Sequence, residues 1–493
     1  MDSNGLDRRS FMKTAAGTGV LAALNPADAQ TPPRKMIGIQ VGAVSFLDEG
    51  TGKVLDVLQE RAAVNTLFLA TFTYGRGIAG RQVPGQPLPD HGKQEYDTDT
   101  FHGGNYATVH PQYYKGTPLR SEDTRAPDHG KFDMLAEVVP QARKRGMRTI
   151  CWCEDVWNDE VPHIEGIREI NLQGARARSQ CYNNPGHRNF LLGLFEDYAR
   201  SYEIDGVMWC SERQGPLGQM LVGNGDASRL TCFCEHCQQK AKQRGIDLAR
   251  VREGYTALAS MVRDARAGKR PVDGHYVTFW RIILRYPEIL AWEHFWNDSL
   301  RDLYSAIYTK VKSVNPALLV GWHIWHANSW SWLFRAEQDL QQLAPYSDYL
   351  KMVMYNNCAG PRIANYVDNL EATLYGDFSK QETLDVVYRV MNYQERSLEQ
   401  IPFTGLSADY VYRETKRAVD GAMGAKTRIW PGIDIDIPTA ANQTKCTPQG
   451  VEAAVRESIR GGAHGLLLSR KYSEMMLANL GGAGRAIKEA KFA

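Results

Sequence analysis

Short apolar, β-branched runs alternate with helix-period segments along almost the whole chain, and that alternation constrains the fold more than any other feature. The eight candidate strands, in order, are Met36 to Phe46, Asn65 to Thr73, Arg148 to Cys153, Asp205 to Cys210, Ala317 to Trp325, Tyr349 to Tyr355, Arg428 to Asp436 and Gly465 to Ser469. Amphipathic segments lie between them, clearest over Phe132 to Lys144, Arg188 to Tyr202, Ser299 to Lys312 and Ala408 to Met423. Thr447-Pro448 reads as an N-cap and first-turn proline for a helix running through Ile459. Strands that alternate with helices must pair in parallel, since each helix carries the chain back across the sheet. Eight such units predict an α/β fold, a (β/α)8 TIM barrel with long loops on its C-terminal face.

One barrel accounts for residues 30–493, with insertions expected at about 76–130 and 213–280. The connections after strands two, three, four and six are long, and in a barrel all of these open onto the catalytic end. The segment from Arg76 to Gly130 is rich in Gly, Pro, His and Tyr, and carries His102 and His110. A structureless stretch of that length inside a compact domain is expected to serve as a lid or pocket wall.

The N-terminus reads as an address rather than as structure. Asp7-Arg8-Arg9-Ser10-Phe11-Met12-Lys13 matches the twin-arginine export pattern, a weakly apolar stretch follows to Leu24, and Ala27-Asp28-Ala29 is an A-x-A cleavage site. Residues 1–29 are therefore expected to be a signal peptide, and the mature protein to reach the periplasm or the cell exterior. Charge is nearly balanced, 58 Lys+Arg against 56 Asp+Glu, which argues against nucleic acid or an anionic membrane as partner. No membrane contact is expected after signal cleavage, and the sequence leaves room for a homo-oligomer.

Nine cysteines include three within six residues, Cys232-Phe-Cys234-Glu-His-Cys237. An odd, clustered set makes a poor disulfide framework, whereas C-x-C-x-x-C spacing lets thiolates converge on one metal. His236 is an alternative ligand within the run.

Strand parity sorts the acids. In the fourth strand Met208, Cys210 and Glu212 share a face, while Val207 and Trp209 take the other. Ile433-Asp434-Ile435-Asp436-Ile437 in the seventh directs Asp434 and Asp436 inward if its isoleucines face the helices. Other strand ends offer Glu154 and Asp155, His323, Trp325 and His326, Tyr355 and Asn356, and Arg470 and Lys471. Carboxylates and amides that bridge hydroxyls, with indoles that stack on sugar C–H faces, suit a carbohydrate substrate. Two carboxylates across one mouth are also what glycosidic cleavage requires. Glu212 is expected to act as a neutral proton donor, with Trp209 and Trp152 lowering its local dielectric, and Asp434 or Asp436 as nucleophile or base.

The order Cys181-Tyr-Asn-Asn-Pro185-Gly-His-Arg188, helix, strand with Glu212, then C-x-C-x-x-C resembles the zinc-containing barrel β-galactosidases of glycoside hydrolase family 42. The resemblance covers the third and fourth β/α units. It implies a structural zinc held by Cys181, Cys232, Cys234 and Cys237, and an acid/base at Glu212. Ser211 stands where that family has Asn, and Asp434 or Asp436 where it has a Glu nucleophile, so β-galactosidase activity itself is not implied. The expected activity is exported glycoside hydrolysis. Two other readings are a carbohydrate-binding barrel without catalysis, and a metal-dependent hydrolase or lyase with His323, His326 and Asp434 as ligands.

Overall fold

The computed structural model describes residues 35–73, 87–93, 103–222 and 227–493. The signal segment and His102 lie outside the described residues. Eight parallel strands, β1 (Met36–Val41), β2 (Thr66–Thr73), β3 (Arg148–Glu154), β4 (Gly206–Cys210), β5 (Leu319–Ile324), β6 (Tyr349–Val353), β7 (Arg428–Asp434) and β8 (Gly465–Lys471), pair in sequence order. β8 then pairs with β1, Met36 opposite Gly465, and closes the barrel. The fold is a TIM barrel.

Its interior is a packed core. Met36, Phe68, Ile150, Trp152, Met208, Tyr349, Trp430 and Leu467 point inward from alternate positions and are all buried. The Tyr349 and Trp430 rings stack at 3.9 Å, and room for them comes from glycine on the neighbouring strand. A Cβ at Gly321 would lie 2.4 Å from the Tyr349 ring. Each large side chain buried this way contributes about 1.5–3 kcal/mol, so the plug beneath the mouth is rigid.

The helices start where side chains satisfy orphan backbone N–H groups. Asp133 caps Met134–Lys144, Asn184 caps Pro185–Ser201, and Thr447 caps Pro448–Arg460 by accepting from Gly450. No helix among the described residues is long and apolar enough to cross a membrane.

Strand limits differ from the sequence reading at two functionally relevant points. β1 ends at Val41, and the buried apolar run Ala43–Phe46 continues as helix Ala43–Glu49. β7 ends at Asp434, and Asp436 turns into the left-handed region (φ 58°), so the two aspartates do not share a strand face. The described part of the 76–130 segment starts at the mouth, where Asp90 accepts from Leu477 N (2.8 Å) just beyond β8, and then runs down the outside of the barrel. Gly104–Asn105 pairs antiparallel with the end of β2, and His110 docks on Asp197 of helix Pro185–Ser201, Nδ1 to Oδ1 2.6 Å. Asp197 lies in the half of that helix leading toward the start of β4, the barrel end opposite the mouth.

Candidate active site and thiol cluster

The C-terminal ends of β4 to β7 surround a cavity of about 570 Å³ lined by Glu212, Gln214, Trp325, His326, Trp330 and Arg362, among others. Indole walls and an amide and hydroxyl rim line it.

Glu212 lies just beyond β4 with its carboxyl facing the cavity, its side chain 52 % exposed on that open side and enclosed by protein elsewhere. His323, opposite Cys210 in the strand register, places Nε2 3.0 Å from Glu212 Oε1. Burial pushes the Glu212 carboxyl up, but His323, Arg362 and Lys351 outweigh it and hold the group down at about 2. Burial and the charge of Lys351 in turn push the His323 imidazole below its ordinary 6.5. These directions run against the neutral Glu212 expected from the sequence and favour a carboxylate beside an uncharged imidazole. Trp209 points away from the barrel axis, against Tyr182 and Tyr304, so it does not shield Glu212.

Beneath the mouth is a fully buried lysine that the sequence reading passed over. Lys351 Nζ donates to Gln40 Oε1 (3.0 Å) and Tyr355 Oη (2.6 Å), and burial pushes it down to about 7. Its signal was parity, since Lys351 shares the inward face of β6 with Tyr349.

Glu154, at the inward end of β3, is held by Thr73 and by Lys471, whose Nζ is 3.5 Å away and also donates to Thr73 (2.9 Å). Arg470 pairs with buried Glu474. His326 is enclosed: Arg362 donates to its Nδ1 (2.9 Å), and its Nε2 lies 3.1 Å from Tyr410 Oη. Burial first, then Arg362, push this imidazole well below 6.5, which fixes it as a neutral acceptor toward Arg362. Trp325 stands in the cavity wall, and Asn356 bonds to the Leu406 carbonyl (3.3 Å) at a helix start.

Three carboxylates go elsewhere. Asp155 has the parity opposite to Glu154 and pairs with Arg213 (3.1 Å) and Ser211 (3.1 Å). Asp434 is buried and spent on backbone: Cys358 N donates to Oδ2 (2.8 Å) and Ile437 N to Oδ1 (3.1 Å). Asp436 accepts from Met476 N (2.8 Å) and Asn479 Nδ2 (2.8 Å), and burial pushes it up to about 6. Asp436 thus anchors the start of helix Leu477–Glu489 rather than facing a ligand. Asp436→Ala should cost about 2–3 kcal/mol in urea unfolding, the charged hydrogen bonds lost. Turnover per folded molecule should stay at wild-type level.

The thiols converge. One sulfur each from Cys181, Cys232, Cys234 and Cys237 lie within 4.8 Å of one another, all buried, with Cys181 at 3.5 Å from both Cys234 and Cys237. Tetrahedral ligation at Zn–S of about 2.3 Å needs S···S of about 3.8 Å, so the set fits a four-coordinate ion. Donors aimed at the sulfurs favour thiolates: Asn183 N to Cys181 (3.4 Å), Asn183 Nδ2 to Cys237 (3.3 Å) and Ile170 N to Cys232 (3.5 Å). Lys240 orients Asn183 through its Oδ1 (2.8 Å). The cluster can hold a structural metal such as zinc, with no position left for a reacting water.

Cys181 follows the hairpin Arg168–Ile170/Arg176–Gln180, and Cys237 lies in the first turn of helix Glu235–Gln243. The cluster therefore staples the insertion after β3 to the one after β4. From there a chain of contacts reaches the mouth: Thr231 to Glu169 (2.8 Å), Glu169 to Arg213 (3.1 Å), and Arg213 is the neighbour of Glu212. Arg213 also stacks on Tyr182 at 4.1 Å.

No protein-family model matches the chain, and no curated protein matches it in sequence. Solved structures do match. A β-galactosidase from the haloarchaeon Halorubrum lacusprofundi superposes with a TM-score of 0.50 at 13 % identity over 92 % of this chain and 58 % of its own. A family 42 β-galactosidase from G. stearothermophilus gives 0.47 at 11 % identity, over 93 % and 57 %. An α-L-fucosidase from Paenibacillus thiaminolyticus gives 0.46 at 12 % identity, over 93 % and 50 %. The chain thus spans between half and three-fifths of the length of these proteins. Its barrel fold is structurally similar to that of the Halorubrum β-galactosidase, and its buried four-cysteine cluster can hold a structural metal such as zinc.

Proposed function

We propose that this protein is an exported glycoside hydrolase that cleaves a glycosidic bond at the barrel mouth, with Glu212 as acid/base. The observation that carries the reading is Glu212 itself, a carboxylate at the end of β4 opening into a cavity walled by Trp325 and Trp330. Glu154, inward on the neighbouring strand and held, among the described residues, only by the side chains of Thr73 and Lys471, is the second carboxylate in this reading. It stands in place of Asp434, fixed by two backbone N–H groups, and Asp436, fixed at a helix start. The thiol cluster holds zinc and fixes the loop behind Glu212. Export follows from Arg8-Arg9 and the A-x-A site. Lysine at both arginines should leave unprocessed precursor in the cytoplasm, and unchanged export of that variant would exclude the twin-arginine route.

The proton given to the leaving oxygen comes from the Glu212–His323 pair. With Glu212 at about 2 and His323 below 6.5, the pair takes up its extra proton only in acid. The expected kcat/KM therefore rises as pH falls below 7, by about tenfold per unit until His323 is charged. Stability runs the other way. A depressed histidine favours folding above its unfolded value of 6.5, and that contribution is lost as pH falls through the folded value. Chromogenic glycosides assayed between pH 4 and pH 8 test this, and a profile flat or rising toward alkali would exclude the pair as proton source.

A metal-dependent reading has one specific support: Cys210, Glu212 and His323 each place a ligand atom within 4.8 Å of the others. His326 and Asp434, the partners expected for His323 in that reading, are engaged by Arg362 and by backbone instead. Loss of turnover in a chelator that leaves one zinc per chain would favour this mechanism over acid/base catalysis.

A further inference from the structure

We infer that the sugar bound at this mouth carries a carboxylate, as a uronic acid unit does, and that Arg362 pairs with it. The inference rests on the carbohydrate reading of the same cavity. Arg362 projects into the cavity from helix Asn356–Glu371. A half-buried guanidinium in a cavity wall commonly pairs with an anion. Among the described residues, no carboxylate oxygen lies within 4.0 Å of Arg362, and its one hydrogen bond goes to the neutral His326 ring.

That hydrogen bond orients the cation without neutralising it. His326 is fixed in turn by Tyr410, which donates to Ser329 Oγ (2.8 Å), so the fork is set before any ligand arrives. The guanidinium presents donors in a plane, the geometry that takes both oxygens of a carboxylate. Glu212 and the backbone-bonded Asp434 act on Arg362 only from beyond ion-pair distance, so neither takes up its donors. A ligand carboxylate would supply the direct partner that neither of them provides. Gln214 Oε1, buried and without a hydrogen-bond partner among the described residues, adds an acceptor for a sugar hydroxyl near the same wall.

Isothermal titration of the mature, zinc-loaded protein with glucuronic acid, galacturonic acid, glucose, galactose and glucose 6-sulfate tests the inference. At least one uronate should bind about 10- to 100-fold tighter than its neutral counterpart, the range a charge-assisted pair supplies. Its affinity should weaken with added salt, fall by the same factor in Arg362→Met, and recover in part in Arg362→Lys, with thermal melting to show that each variant is folded. Equal affinity for uronate and neutral sugar, or an unchanged Arg362→Met, would overturn the carboxylate pairing and leave the carbohydrate reading standing. Preference for the 6-sulfate over both uronates would overturn it in favour of a sulfated sugar. Binding of none of these sugars would overturn both readings together.

Discussion

Cys237→Ser should leave the purified protein without stoichiometric zinc and lower its melting temperature by about 5–10 °C. Four buried sulfurs within 4.8 Å repel one another as thiolates, and a dication removes that repulsion while joining two separate insertions. Structural zinc supplies about 10 kcal/mol or more in small domains. In a barrel of this size the strands fold around their own core, so a smaller loss is expected, about 5 kcal/mol, confined to the stapled segments. The damage should reach the mouth through Glu169 and Arg213, so turnover should fall further than the folded fraction does. Elemental analysis of the wild type should give about one zinc per chain. Zinc-free protein with undiminished stability would show that the cluster is four thiols and nothing more.

Glu212→Gln should lower turnover on a glycoside with a poor leaving group by about 10²–10⁴-fold, the usual contribution of a general acid. The substitution keeps the shape of the side chain and removes the charge that draws a proton onto His323. Sugar affinity should persist, since Trp325, Trp330 and Arg362 are untouched. An activated leaving group, which departs without protonation, should show a much smaller loss in the first step. Full activity on the poor substrate would remove Glu212 from the reaction.

Much of the architecture could be read from residue order. The eight strands are short and largely apolar, and each is followed by a helical segment, with side-chain caps at Asp133, Asn184, Ser331 and Thr447, so closure into a barrel follows from parallel pairing. The thiol set was legible too, because spacing alone brings Cys232, Cys234 and Cys237 together. The aspartates of β7 were harder. Parity predicts that Asp434 points inward, but the N–H groups that occupy it belong to Cys358, in the first turn of helix Asn356–Glu371, and to Ile437, in the turn after β7, and no strand pattern reveals where these lie. Asp436 leaves the strand altogether through a positive φ. Parity puts Glu212 on the cavity side, but what holds its carboxyl down, first His323 on β5 and then Arg362 and Lys351 from β6 and the helix after it, lies more than a hundred residues away in sequence. Long-range electrostatics of this kind is set by the closed barrel, not by neighbours in the chain.

The most direct test of the whole account is hydrolysis of a panel of glycosides and glycuronides by the purified mature protein at pH 5, followed by product analysis. The account predicts release of free sugar, unaffected by a chelator that leaves the four-thiol zinc in place and reduced at least about 100-fold in Glu212→Gln. No release from any glycoside by folded, zinc-loaded protein, or release that survives unchanged in Glu212→Gln, would contradict it.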